Sequence, residues 1–274
     1  MARRSKRKKI KWLNICLVIF FLVLIGGFFL FNNKKIDNND NKTVDIKDGN
    51  DVKVDKKIDN APINHKDFLD IGDGEYLTSK GFTLVIKNGV SYIDNMLIVN
   101  KTYSLPQDFK PVNPYEEVVG ERCNNCIDKD AMNAFKSMQS DAQAIGLNIY
   151  ISSGFRGYTY QDKIYNNYVA MSGKDKADTY SARPGHSEHQ SGLCFDLNTI
   201  DDSFANTSEG QWVNKNASNY GFVIRYPKGK ETITGYQYES WHLRYVGLDL
   251  AQKLYQDGDW MTLEEYYGIS SKYE

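Results

Sequence analysis

The chain has 274 residues, of which 41% are hydrophobic and 25% charged, and its formal net charge is −1. This composition excludes a wholly disordered polymer and leaves room for one or two domains. Residues 1–11 hold seven of the 34 basic residues and no acidic one, so the remainder sets 27 Lys and Arg against 35 Asp and Glu, a formal −8. A nucleic-acid partner, which needs a basic face, is therefore not expected.

The basic cluster (Arg3, Arg4, Lys6, Arg7, Lys8, Lys9, Lys11) runs into Trp12–Phe31, a stretch with no charge and one strongly polar residue, Asn14. Twenty helical residues span ~30 Å, the thickness of a bilayer core. The positive flank predicts a cytoplasmic segment 1–11, an anchor over 12–31 in the lipid bilayer, and an outward-facing remainder. A cleaved signal peptide is the rival reading, but the apolar run is long for one and no small-x-small site follows it. Residues 32–66 are Asn, Asp and Lys with scattered Ile and Val and no Phe, Tyr or Trp, too little apolar surface to order themselves. They read as a tether of roughly 30 Å, which leaves 67–274 as the folded domain.

Within that domain, Phe82–Lys87 and Val90–Asp94 flank Asn88-Gly89, a two-residue hairpin signal, and Leu97–Val99 adds a strand. This region, 80–100, reads either as a small wall-binding piece or as a sheet edge packed on the rest of the domain, and the second is favoured. Over 127–145, Ile127, Ala131, Ala134, Phe135, Met138, Ala142 and Ile145 recur with helical period, and Gly146 suits the stop. Leu147–Ile151 alternates like a strand and delivers Ser153-Gly154-Phe155-Arg156. Further helices are expected over 160–171, 208–220 and 248–255, with a last turn at 263–267, and strands over 222–226 and 241–245. Helices and strands mix without regular βαβ alternation, so the predicted fold class is α+β with a mainly antiparallel central sheet.

The chemistry-bearing residues lie in two short stretches. His186-Ser-Glu-His189-Gln-Ser-Gly192-Leu-Cys-Phe-Asp196 offers an imidazole and a carboxylate seven positions apart, with a glycine between them to turn the chain. Glu239-Ser-Trp-His242 offers a second imidazole. His189, Asp196 and His242 make a three-ligand zinc site with a fourth position open for water, one ion per chain. Glu239 would then be the general base. Residues three apart on a regular strand point to opposite faces, so a bulge or turn is expected near Ser240 or Trp241. Arg156 has the forked geometry to hold a terminal carboxylate or a developing oxyanion.

Ser187-x-His189-x-x-Gly192-x-Cys194-x-Asp196, followed by Glu239-x-x-His242 with Trp241 before the histidine, resembles the VanY-type zinc D-alanyl-D-alanine carboxypeptidases. Ser153-Gly154-Phe155-Arg156 and then Gln161 resemble a second motif of that family. The resemblance covers roughly residues 80–267 and implies the hedgehog-like peptidase fold, with zinc on the central sheet. It implies that Gln161, Ser187 and Tyr226 line the substrate site, and that the partner is the peptidoglycan stem peptide, from which the terminal D-alanine is removed at the outer face of a bacterial cell membrane. Two relatives of that activity stay open on the same centre: an L,D-carboxypeptidase and a peptidoglycan endopeptidase. A catalytically inactive wall-binding protein is the reading from another class, and the retention of all three ligands with Glu239 argues against it. Oligomeric state is not legible.

Two positions depart from the family pattern: Gly157 stands where Ser is usual, and Cys194 where Ala is. Cys194 reads either as a small buried thiol filling the alanine's space or as a thiolate competing for zinc. With three ligands already in hand, the first is favoured. Cys123-Asn-Asn-Cys126 has no second pair for a zinc ribbon and no thioredoxin-like context, which favours a short-range disulfide.

Overall fold

The structure, a computed structural model, describes residues 68–273. The expected anchor over 12–31, the basic segment before it and the tether after it lie outside the described residues. No helix among the described residues is long and apolar enough to cross a membrane.

The described chain begins with a five-stranded antiparallel meander: β1 (Leu69–Gly72), β2 (Glu75–Leu77), β3 (Thr83–Lys87), β4 (Val90–Ile93) and β5 (Met96–Ile98), hydrogen-bonded in that order. Asn88 and Gly89 turn β3 into β4 with φ of 52° and 74°. Two positive values match the right-handed strand twist, as the Asn-Gly pair predicts. These strands form a sheet of their own, and it packs on the rest of the domain as expected: Leu84, Ile93 and Ile98 join the main core.

The central sheet has four antiparallel strands in the order β10 (Phe222–Tyr226), β11 (Glu239–Tyr245), β9 (Cys194–Leu197), β7 (Ile151–Ser153). After β6 (Arg122–Cys123), helix α1 (Lys129–Ala144) opens on Asp128, whose carboxylate accepts from the backbone N–H of Asp130 and Ala131 and so satisfies two donors left over at a helix start. Its buried face, Ala131, Met132, Phe135, Met138 and Ala142, follows the expected periodicity. Ile145 departs from it: it is 62% exposed, because the helix has already ended and the chain turns away. Strand β7 (Ile151–Ser153) is shorter than expected. Ahead of it, Tyr150 N–H donates to Asn198 Oδ1 and Asn198 Nδ2 donates to Asn148 O, so beside one backbone bond, Asn198 N–H to Tyr150 O, a side chain takes the place of a regular ladder.

Next come β8 (Phe155–Arg156), α2 (Tyr158–Ser172), α3 (Lys174–Ala177), β9 (Cys194–Leu197), α4 (Ser208–Asn216), β10 (Phe222–Tyr226), α5 (Glu231–Thr234), β11 (Glu239–Tyr245), α6 (Leu248–Leu254), two short strands β12 (Tyr255–Gln256) and β13 (Asp259–Trp260), and α7 (Leu263–Tyr267). Residues 217–220 continue α4 as a tighter 3-10 turn that stops at Gly221. Phe195 sits 5.0 Å from Phe135 and 5.2 Å from Phe222, ring centre to ring centre, fixing α1 against one face of the sheet. Successive strand residues point to opposite faces. Once Phe195, Leu197, Phe222, Ile224 and Leu243 fill the core, Cys194, Asp196, His242, Arg244 and Arg225 are left for the other face.

Candidate metal centre and substrate cavity

Register brings the candidate ligands together. His242 lies directly opposite Asp196, and Arg244 opposite Cys194, across the β11–β9 pair. Between β10 and β11 the pairing jumps from Ile224–Leu243 to Tyr226–Glu239, so four steps along β11 face two along β10. This is the bulge that Glu239 and His242 require, and it swings Glu239 Oε2 to 3.5 Å from His242 Nδ1. His189 arrives from a buried 3-10 turn, Glu188–Ser191. Gly192 ends that turn with φ of 73°, and an added Cβ would sit 2.5 Å from Pro111 Cγ, so both conformation and space call for glycine.

The two imidazoles are held by their far nitrogens. His189 Nδ1 donates to Gly154 O at 2.7 Å, and His242 Nε2 faces Glu188 Oε2 at 3.4 Å. That leaves His189 Nε2 and His242 Nδ1 free, and they point at the two oxygens of Asp196 at 3.3 and 3.2 Å. Such outer partners fix the tautomer of a metal-binding histidine. Asp196 is 3% exposed, and its Oδ1 has no aligned hydrogen bond, only the close approach of His242 Nδ1. A buried carboxylate oxygen left in that condition is costly unless a cation satisfies it. The electrostatics agree. Burial opposes charge on each group, but His189 and His242 hold the Asp196 carboxyl well below its usual range. Burial and Arg156 disfavour a charged His189, yet Cys194 and Asp196 raise its pKa to about 9, and His242 is raised well above its ordinary value. The pocket thus favours positive charge, and two nitrogens with one carboxylate suit zinc. Burial pushes Glu239 up to about 7, against the pull of His242 and with that of Asp196, a value fitted to exchanging protons near neutrality.

The centre opens into a cavity of about 290 Å³ that takes in every residue expected at the site: Arg156, Gln161, Ser187, Tyr226 and Glu239 with the three ligands. Arg156 Nη1 donates to Ser153 Oγ at 2.8 Å and lies 3.4 Å from Asp196 Oδ2, while its Nε is buried without a partner. Gln161 donates through Nε2 to Ala182 O, and its Oε1 likewise has no partner. A donor and an acceptor left unsatisfied around one cavity fit a ligand with a carboxylate and an amide N–H. Ser187 is 3% exposed and starts the turn that carries His189. The Tyr226 ring packs 4.9 Å from that of His242 and walls the centre. Ile164, Tyr168, Tyr180 and Ile200 add an apolar side.

Several supporting residues were not foreseen. Glu188, inside the first motif, is fully buried and accepts from Arg225 Nε at 2.8 Å and Arg244 Nη1 at 2.9 Å. Arg225 also makes a two-pronged pair with Glu264 of α7, and Arg244 Nη2 donates to Leu97 O of β5 at 2.6 Å, tying the meander to the ligand strand. The one signal available in sequence was a pair of arginines inside otherwise buried strands. Around Arg156, Cys123 and Cys126 form the disulfide that the sequence favoured. Asn124 between them accepts from Gly154 N–H, and β6 pairs with β8. The Glu121 carboxylate accepts from Tyr160 N–H at the start of α2.

An antiparallel sheet that presents such a centre at the floor of a cleft, with a carboxylate of raised pKa on its open side, belongs to the class of metal-dependent peptidases. Comparison with known proteins narrows this. The family described as VanY, D-alanyl-D-alanine carboxypeptidase, matches residues 124–248. The Bacillus subtilis (strain 168) protein YodJ is 34% identical over 95% of this chain and 97% of its own length. Among solved structures, the LdcB LD-carboxypeptidase is 38% identical with a TM-score of 0.57, covering 69% of this chain and 94% of that one. The vancomycin resistance D,D-pentapeptidase VanY, solved as a point mutant in complex with Zn(II), is 33% identical with a TM-score of 0.50, covering 62% and 96%. The chain belongs to the VanY family of D-alanyl-D-alanine carboxypeptidases and is a zinc metallo-carboxypeptidase.

Proposed function

We propose that this carboxypeptidase releases the terminal D-alanine from peptidoglycan stem peptides, with one zinc ion held by His189, Asp196 and His242. The observation that carries the reading is the convergence of those ligands, Glu239 and the unsatisfied Arg156 and Gln161 atoms on one cavity. Zinc bound there supplies Lewis-acid polarisation of the scissile carbonyl and a water made acidic enough to react near neutral pH. Arg156 takes the substrate's C-terminal carboxylate, which sets the last peptide bond over the centre. Gln161 Oε1 accepts an N–H of the peptide, and Ser187 and Tyr226 border the chain. Glu239 receives the proton of the attacking water and returns it to the leaving amine of D-alanine.

The motif likeness supports a D,D-carboxypeptidase acting on pentapeptides. The fuller likeness to the LD-carboxypeptidase supports a second reading, trimming of tetrapeptides by an L,D cut. Defined tetrapeptide and pentapeptide muropeptides incubated with the purified full chain, with and without chelator, separate the two by mass spectrometry. Loss of one alanine from the pentapeptide alone supports D,D cleavage, and loss from the tetrapeptide supports L,D cleavage. No chelator-sensitive loss from either refutes the function. We further place the domain outside the cell on an uncleaved anchor over 12–31. Protease added to intact spheroplasts should remove it, and full protection would refute that topology.

A further inference from the structure

The metal centre has a donor beyond the three ligands and the base. Cys194 is the free cysteine among the described residues and is fully buried. It stands two residues before Asp196 on β9 and on the same face of the strand. Its Sγ and one ring nitrogen from each of His189 and His242 all lie within 4.8 Å of one another. A second group, Asp196, Glu239 and His242, meets the same criterion and shares His242 with the first. The two groups adjoin at His242, and His189 Nε2 lies 3.3 Å from Asp196 Oδ2 across them.

Their exposure is graded. Cys194 is fully buried, and the side chains of His189, Asp196 and His242 are 2%, 4% and 4% exposed, whereas that of Glu239 reaches 13%. Cys194 is absent from the cavity lining, which takes in His189, Asp196, His242 and Glu239, so the sulfur lies behind the centre as seen from the cavity. A donor placed there can bind an ion without taking the cavity-facing position that substrate needs. Asp196 Oδ1, buried and without an aligned hydrogen bond although His242 Nδ1 lies 3.2 Å away, is an oxygen that a cation between the two would satisfy.

We propose that Cys194 is a sulfur ligand of the catalytic ion, which makes this a two-histidine, one-aspartate, one-cysteine centre. The inference rests on the zinc reading above and adds a donor to it. Bond formation between sulfur and metal breaks the S–H bond, and the proton leaves to solvent. Thiolate is a soft ligand, so the centre should hold thiophilic ions more tightly than three nitrogen and oxygen donors would. An alanine at 194, usual in the resembled family, offers no such bond.

The test uses the full chain loaded with cobalt(II) in place of zinc, beside Cys194→Ala and Cys194→Ser. Cobalt bound to thiolate gives an intense near-ultraviolet charge-transfer band, whereas its weaker visible bands need no sulfur. The wild type should show both kinds of band. Each variant should keep the visible bands, which reports an intact three-ligand site, and lose the ultraviolet one. Cadmium affinity, measured by chelator competition, should fall in both variants by at least about tenfold, the scale for losing even an outer partner of a ligand. A wild type that holds one cobalt per chain without the ultraviolet band overturns the inference and leaves the zinc reading standing. A wild type that takes up no cobalt or zinc overturns both.

Discussion

Glu188 is a severe test of how this centre is held, because it joins the fold's deepest charges to a metal ligand. Consider Glu188→Ala. Burial would push the Glu188 carboxyl up, but Arg225 and Arg244 hold it far below the usual carboxylate range. After truncation Arg225 keeps both bonds to Glu264. Arg244, 0% exposed, keeps only neutral acceptors, Leu97 O and Tyr245 O, with Met96 Sδ nearby. One buried charge is thereby left without a counter-charge, a change that costs ~3–5 kcal/mol. At about 2–4 °C per kcal/mol for a domain of 150–250 residues, the melting temperature should drop by roughly 6–20 °C. His242 also loses the partner at Nε2, so zinc affinity should fall by about 10- to 100-fold. Glu188→Gln keeps an oxygen for the arginines and should fall between wild type and alanine on both scales. Thermal unfolding of the metal-free protein and zinc competition against a chelating dye measure the two effects separately. An alanine variant that melts within a degree or two of wild type and binds zinc equally well would refute the role given to Glu188.

Other outcomes follow from the same geometry. Glu239→Gln should keep about one zinc per chain and lose turnover by on the order of 10² or more, whereas His189→Ala and His242→Ala should lose the zinc itself; a Gln variant as poor in zinc as the histidine variants would remove Glu239 from the role of base. Arg156→Ala should retain metal and lose activity through misplaced substrate, with kcat/KM for a C-terminally amidated peptide affected far less than for the free acid; equal losses on both would contradict carboxylate recognition. Asp178 is opposed by burial but held at about 2 by Arg183, Tyr165 and Lys174. Its folded pKa is depressed, so its stabilisation is present above about pH 4 and disappears as pH falls through 2, a change of ~2 kcal/mol. The stability gap between wild type and Asp178→Asn should therefore close over that window in acid unfolding, and a gap that stays constant would refute the pairing.

The candidate ligands were legible as a cluster because each sits in a short motif, and the bulge that brings Glu239 to His242 follows from strand geometry alone. Gln161, Ser187 and Tyr226 came only through resemblance; nothing in their spacing says they share a cavity. Glu188 was invisible as a partner because Arg225, Arg244 and Glu264 reach it only through the tertiary fold. The Asn-Gly hairpin was readable, but strand alternation names a buried face and not the sheet a strand joins, so the separate five-stranded meander was not legible. Leu147–Tyr150 alternates as a strand should, yet Asn198, distant in sequence, supplies the side-chain bonds that replace a ladder there.

Helix α2 carries Gln161 and begins at Gly157, where no side chain caps it. The acceptor instead comes from Glu121, whose carboxylate occupies the place a side chain at 157 would need: an added Cβ would lie 2.5 Å from Glu121 Oε2. A serine at 157 and a glutamate at 121 are thus rival solutions to one vacancy in the hydrogen bonding of the helix start. Along a lineage the two sites should change hands together, an acid at 121 accompanying glycine at 157, and a small residue at 121 accompanying serine. Transplanting either residue alone into a relative should loosen the first turn of α2, whereas exchanging both should preserve it.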